Sequence, residues 1–237
     1  MFYFNFLYIW VLIPAMILSM YAQSKVQSTF NKYSKISNSR GYTGADVARQ
    51  LLMIAGIHDV TVEPIRGHLT DHYDPRTKTL RLSDSVFNSR SIAAIGVAAH
   101  ETGHAIQDAR GYAFLRLRSA LVPISNIGSN LAMPLIMIGV LVGATNVNSG
   151  FGGTLIQLGI VFFALAVLFT IVTLPVEFNA SSRAIAMLED DGFLSYEEIQ
   201  PAKKVLGAAA LTYVAATASA LASLLRLILI FGGRDRD

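Results

Sequence analysis

Residues 119–176 contain no Asp, Glu, Lys or Arg. A bilayer-spanning helix needs about 20 apolar residues, so this run has room for two helices and a turn. The segment 146–153, Asn-Val-Asn-Ser-Gly-Phe-Gly-Gly, supplies the turn. The expectation is a helical hairpin with spans near 121–144 and 154–176. Residues 1–24 also lack charged side chains. With no basic residue before it and an apolar stretch longer than a secretory h-region, this segment reads as a signal anchor rather than a cleaved signal peptide. A fourth candidate, 205–230, is rich in Ala, Thr and Ser in its first half and carries Arg226 near its end. It either spans, with Arg226 snorkelling to the interface, or packs as a buried helix. A composition of 53% hydrophobic and 15% charged residues agrees with a membrane protein.

Lys and Arg fall on one side of this plan. Lys25, Lys32, Lys35 and Arg40 follow the first span, and Arg110, Arg116 and Arg118 precede the second. Arg183, Lys203 and Lys204 follow the third, whereas the hairpin tip has none. The positive-inside rule then places 25–118 and 177–204 in the cytoplasm. The net charge of +3 follows from that orientation. No basic run interleaved with aromatics suggests a nucleic-acid partner. With no Cys, disulfides and thiolate ligands are excluded, so any metal must be held by His and carboxylates. The lack of Cys also fits a reducing compartment.

Within 91–107, SIAAIGVAAHETGHAIQ, lies an H-E-x-x-H pattern. On a helix, His100 and His104 are four residues apart on one face and can hold one zinc ion between them. Glu101 is rotated by one residue, where its carboxylate can reach a water on that ion. The competing reading is a polar helix turn without metal. The small apolar residues around the motif are those of a buried helix.

Other segments set the surroundings. Residues 43–57 read as a helix with N-cap Thr43 and Gly56 near the stop. Residues 60–65 form a short strand, and 69–73 with 79–83 form a hairpin around the turn 74–77. Residues 79–83, Thr-Leu-Arg-Leu-Ser, alternate as a half-buried strand does. They are either the edge strand that pairs with a peptide substrate or part of a core hairpin. Ser83 begins a short turn or helix, and Ser91 caps the motif helix.

A catalytic zinc usually has three protein ligands and an open position. Glu177, where the hairpin returns to the membrane face of the motif helix, is the best candidate for the third. A solvated helix end is its bland alternative. Asp108 lies on the stripe of His104, but ligands from 100 to 108 would spread over about 12 Å at 1.5 Å per residue. A supporting bond to a ligand, or simple solvation, suits Asp108 better. His58, His68 and His72 read as loop histidines, with His72 the one that could reach the cleft and stabilise an oxyanion. In this chemistry zinc activates water and polarises the scissile carbonyl, and Glu101 moves the proton to the leaving amine.

The strings DHYDPR (71–76), LS (82–83), VAAHETGHAIQ (97–107) and PVEFNASSRA (175–184) closely resemble the YugP-like family of neutral zinc metallopeptidases, which are bacterial membrane proteins. The resemblance covers most of the chain, including the order of spans. More distantly, the layout is similar to HtpX-type and CAAX-prenyl membrane proteases, gluzincins whose third ligand is a Glu on a later helix. The resemblance implies His100, His104 and Glu177 as ligands and Glu101 as general base. The distant families carry a carboxylate four residues after the ligand Glu, where this chain has Ser181. The resemblance therefore implies that the supporting bond to a zinc histidine is weaker here or made by another group. Asn179 and Arg183 are further candidates for contacts behind the ligands or to the transition state.

The expected fold is a mainly α membrane protein with a gluzincin-like zinc metallopeptidase core, a small β-sheet and three to four transmembrane helices. Its divisions are an anchor at 1–24, a zincin half-domain with the motif helix at 25–118, and a transmembrane hairpin at 119–176. A cytoplasmic helix with the third ligand follows at 177–204, then a transmembrane helix and tail at 205–237. The expected function is a multi-pass cell-membrane endopeptidase with one zinc ion, acting at the cytoplasmic face on membrane or membrane-proximal polypeptides. Its partners are the polypeptide substrate and the bilayer, with a membrane-protein partner or an oligomer also open to it. The alternative is a membrane protein whose structural or regulatory zinc serves partner binding without proteolysis.

Overall fold

The computed structural model describes residues 2–145 and 150–231, leaving aside the side chains of 2–9, 11, 144 and 145. Six helices and three strands follow in the order α1 (Phe2–Tyr33), α2 (Gly44–Ile54), β1 (Thr61–Ile65), β2 (His72–Asp74), β3 (Thr79–Ser83), α3 (Ile92–Ala109), α4 (Ala113–Thr145), α5 (Gly150–Asp190) and α6 (Tyr196–Phe231). The chain is mainly helical, and among the described residues α4, α5 and α6 are long and apolar enough to cross a membrane. The anchor expected at 1–24 falls within α1, part of whose side chains lie outside the described residues. So do four residues of the expected hairpin turn, 146–149; α5 has already begun at Gly150. The tail 232–237 also lies outside them.

The chain divides into two compact units. One comprises 1–20, 117–173 and 213–237. Here α4 and α5 approach closely at glycines: a Cβ on Gly128 would lie 2.6 Å from the Phe162 carbonyl oxygen, and one on Gly159 would lie 2.8 Å from that of Ala132. Small residues at such crossings let apolar helices touch backbone to backbone. Hydroxyls add polar ties, with Ser19 Oγ 2.9 Å from Ser219 Oγ and Thr217 Oγ1 donating to the Thr170 carbonyl at 3.3 Å. Met137, Leu141 and Phe151 are 60%, 65% and 62% exposed. Such side chains, spread along charge-free helices, suit hydrocarbon rather than water.

The other unit comprises 21–116 and 174–212. Its α2 starts at a capping box: the Thr43 hydroxyl accepts from the Asp46 N–H while the Asp46 carboxylate accepts from the Thr43 N–H. Gly56, with φ +73°, follows the C-cap Ala55 in the left-handed conformation that stops the helix. Ser91 caps α3, its side chain accepting from the Ala94 N–H.

The sheet has the order β1-β3-β2, with β1 parallel and β2 antiparallel to β3. Strand 79–83 is therefore the centre of the sheet, which bears out the core-hairpin reading and corrects the edge-strand one. Four of its five residues are buried, including the polar Thr79 and Ser83. Burial is tolerable because both are bonded: Thr79 Oγ1 donates to the Thr77 carbonyl, and Ser83 donates its N–H and hydroxyl to Asp71. The free edges are β1 and β2. Leu80 and Leu82 pack with Ala93, Ala94 and Ala98 of α3, while Ile92, Ile95 and Ala99 meet Ala184 and Leu188 of α5. The motif helix is thus clamped between the sheet and α5.

Candidate metal centre

α3 and α5 bring His100, His104 and Glu177 together, with one donor atom from each within 4.8 Å of the others. Glu177 Oε2 lies 3.3 Å from His100 Nε2 and 3.5 Å from His104 Nε2. Zinc bonds to His nitrogen and carboxylate oxygen are about 2.0–2.2 Å long, so neighbouring ligands on a tetrahedral ion lie about 3.3–3.5 Å apart. The two separations match that edge, and two imidazoles with one carboxylate are a zinc donor set. The Glu177 side chain is 2% exposed and the two imidazoles 13% and 11%. The residues present fit one zinc ion.

Close approach of the two helices depends on Gly103, inside the motif. A Cβ there would lie 2.8 Å from the Ala180 carbonyl oxygen and 3.2 Å from the Ala180 Cα. Ala180 is itself fully buried. Any larger residue at 103 would hold α5, and Glu177 one turn earlier, away from the histidines.

Behind the ligands stands a bond chain that orients His104. Its Nδ1 lies 3.0 Å from Gln107 Oε1. The Gln107 amide has one sense only, because its Nε2 donates to the Val176 carbonyl at 2.9 Å and to Asn179 Oδ1 at 3.0 Å. Asn179 Oδ1 also accepts from Arg183 Nε at 2.8 Å, which fixes the second amide. Gln107 Oε1 is therefore an acceptor, His104 must carry its proton on Nδ1, and Nε2 is left with the lone pair a metal needs. On the other histidine, His100 Nδ1 is 3.1 Å from Ser181 Oγ. Ser181, which stands where the distant families carry a carboxylate, is thus in hydrogen-bond contact with one of the two motif histidines. A hydroxyl can donate or accept, so it orients the ring without choosing its tautomer.

Charge around the pair is uneven. Burial opposes a charged His104, but the hydrogen bond that its protonated Nε2 donates to Glu177 and the charges of Glu101 and Glu177 outweigh it and raise its pKa. Asp71 is also raised: burial pushes it up, its two bonds from Ser83 oppose this, and the Glu101 charge adds to it. Glu101, nearly buried on α3, thus shares its field with both a ligand and the start of β2.

Two expected site residues sit elsewhere. Asp108 accepts from the Tyr73 hydroxyl at 2.8 Å and from Lys78 Nζ at 2.7 Å, so it ties α3 to the hairpin and supports neither ligand. His72 Nδ1 lies 2.9 Å from the Thr70 carbonyl and Nε2 3.5 Å from Arg81, engaged with its own hairpin. His68 stacks edge-on against Phe30, and His58 is exposed. Gln107 and Gly103 were not singled out from sequence. For Gln107 a signal existed, since it lies three residues after His104 on the same helical stripe.

The family described as "putative neutral zinc metallopeptidase" matches residues 8–232. The "putative membrane protease YugP" of Bacillus subtilis (strain 168) is 50% identical over 232 residues, covering 98% of this chain and 100% of the relative. No solved structure matches. With a zinc-type donor set and a match over nearly its whole length, the chain belongs to this family, described as "putative neutral zinc metallopeptidase".

Proposed function

We propose that the protein is an integral membrane zinc endopeptidase, hydrolysing peptide bonds of membrane or membrane-proximal proteins at the cytoplasmic face. The observation that carries the reading is the convergence of His100, His104 and Glu177 beside Glu101, an ionisable group that a purely structural metal site does not need. We assign the three converging side chains as ligands and the core as gluzincin-like. A zinc ion held there supplies Lewis acidity, lowering the pKa of a water and polarising a peptide carbonyl. Glu101 accepts the proton of the attacking water and returns it to the leaving amine. Gln107 holds His104 in the Nδ1–H tautomer, with Asn179 and Arg183 holding Gln107. Ser181 steadies His100.

The substrate strand is reassigned with the sheet. β2 is the free edge beside α3, tied to it through Tyr73 and Asp108. An extended peptide adding to β2 would gain main-chain bonds next to Glu101. The cytoplasmic orientation rests on the placement of Lys and Arg, which also makes 25–118 and 177–204 the parts that carry the site. The test is hydrolysis of unfolded casein by the detergent-solubilised chain with and without a chelator, beside Glu101→Gln. The expected result is chelator-sensitive cleavage that Glu101→Gln abolishes while bound zinc stays at one ion per chain. Cleavage that persists undiminished in Glu101→Gln would overturn the assignment of the base.

A further inference from the structure

A cavity of about 580 Å³ lies between α1 and α6, lined by residues apart from the candidate metal centre. On α1 its wall is Lys25, Ser28, Thr29, Lys32 and Tyr33, with the Lys32 ammonium 5.3 Å from the centre of the Tyr33 ring. The first four positions are i, i+3, i+4 and i+7, so one helical stripe presents two ammonium groups with two hydroxyls between them. The lysines stand about 10 Å apart along the axis at 1.5 Å per residue. On α6 the wall is Lys204, Gly207, Ala208 and Leu211, with the same spacing. Here one lysine is followed by small and then apolar side chains. A Cβ on Gly207 would meet nothing within 4 Å, so its lack of a side chain widens the cleft.

Charge in the cavity is one-sided. Lys25, Lys32 and Lys204 line it, and no lining residue is acidic. The adjacent Lys203, outside the lining, is by contrast within 3.7 Å of Glu189. The lysines also mark a boundary in the sequence. Lys25 directly follows the charge-free residues 1–24, and Lys204 directly precedes the apolar run 205–225. The α1 wall of the cavity is thus cationic and hydroxyl-bearing along its length, whereas on the α6 wall Gly207, Ala208 and Leu211 follow Lys204 into the charge-free part of a membrane-length helix. A soluble anion would use only the first of these walls. An amphiphile with a phosphate headgroup would use both, and basic pockets between membrane helices recognise anionic headgroups in this way.

We propose that the cleft between α1 and α6 binds the phosphate headgroup of a net-anionic lipid, through Lys25, Lys32, Lys204 and the hydroxyl of Thr29, the Ser28 hydroxyl being held by the Lys25 carbonyl. The proposal rests on the membrane location of the chain and not on its peptidase reading. The bond it forms is non-covalent, with the first acyl carbons lying along Ala208 and Leu211.

The test is titration of the full chain in neutral detergent with phosphatidylglycerol, phosphatidylcholine of the same acyl chains, or inorganic phosphate, read as thermal stabilisation and as bound lipid by native mass spectrometry. Phosphatidylglycerol should bind preferentially. The double variant Lys25→Gln with Lys204→Gln should weaken its binding ten- to thirtyfold, since each lysine at an anionic headgroup is worth several-fold in affinity. The charge-matched pair Lys35→Gln with Lys203→Gln, outside the lining, should keep the preference. Gly207→Leu, which keeps every lysine but fills the cleft, should lose it, and serves also if the double variant fails to fold. Equal losses in the charge-matched pair would mean diffuse attraction and would overturn the site. Retained preference in both the double variant and Gly207→Leu would do the same. Equal stabilisation by inorganic phosphate would make this a soluble-anion site and overturn the lipid assignment.

Discussion

Replacing Gly103 by Ala should damage the metal centre more than the fold. The new Cβ would stand 2.8 Å from the Ala180 carbonyl oxygen, a backbone atom that cannot swing away. Relief to an ordinary contact needs about 0.6 Å of separation between α3 and α5. Overpacking of this kind costs about 1–3 kcal/mol, while Ala in place of Gly returns up to about 1 kcal/mol in helix propensity. The net loss in stability is then about 1 kcal/mol. The ligands are less forgiving. Metal–ligand distances tolerate about 0.2 Å, and α3 carries two of the proposed ligands while α5 carries the third. α3 cannot retreat, because Ala93, Ala94 and Ala98 on its other side are packed against Leu80 and Leu82 of the sheet.

The expected outcome for Gly103→Ala is a folded protein whose zinc affinity, measured against a chromophoric chelator, falls by about tenfold or more, with turnover falling alongside. Gly96→Ala is the control on the same helix. Its Cβ would meet only Ala202, at 3.9 Å, an ordinary contact. It should gain up to about 1 kcal/mol from propensity and leave zinc binding unchanged. Wild-type zinc affinity in Gly103→Ala would refute the view that this glycine sets the ligand separation.

Other outcomes follow from the same geometry. Gln107→Leu should lower zinc affinity about 10- to 100-fold, the usual cost of losing the partner that orients a ligand histidine, whereas Ser181→Ala should cost less because the hydroxyl does not select a tautomer; both are read by the same competition assay. Metal-free and loaded protein should respond to pH in opposite senses. The raised pKa of His104 means its proton stabilises the metal-free fold fully below the usual imidazole value of 6.5, an advantage lost as pH rises through the raised value, while zinc must displace that proton and so binds more tightly as pH rises. Calorimetric zinc titrations across pH should show this, with the onset moved to lower pH in Glu101→Gln, because the Glu101 charge is one cause of the shift. Thr43→Ala should destabilise the fold by about 1 kcal/mol through loss of the α2 cap, seen in denaturant unfolding.

Local chemistry was the most readable part of the fold. The Thr43 cap, the Ser91 cap and the Gly56 stop each depend on a few neighbouring residues, and each lies where the sequence puts it. The charge-free run likewise predicts long apolar helices, since a membrane-length helix is a property of one segment. Sheet order is different. The alternation in 79–83 suggests a half-buried strand and leaves edge and core open, but Thr79 and Ser83 are buried with partners from 77 and 71, and β1 pairs with β3 from eighteen residues away. A polar residue satisfied by a distant partner looks, in sequence, like one facing water.

The same division runs through the metal centre. His100 and His104 come from one helix, so the 3.6-residue period alone puts them side by side. Glu177 depends on a return of the chain, which the charge-free hairpin makes available but cannot aim. Its aim comes from packing: Gly103 lets α5 approach, and Ala180, Ala184 and Leu188 hold it there. Gln107 gains its role from the same approach, since only α5 supplies the Val176 carbonyl and the Asn179 amide that fix its sense. Both residues that escaped sequence reading therefore act through one contact between two helices. A motif specifies which side chains a metal can use, whereas the helix beyond the hairpin decides how far apart they stand and which nitrogen is left to bind.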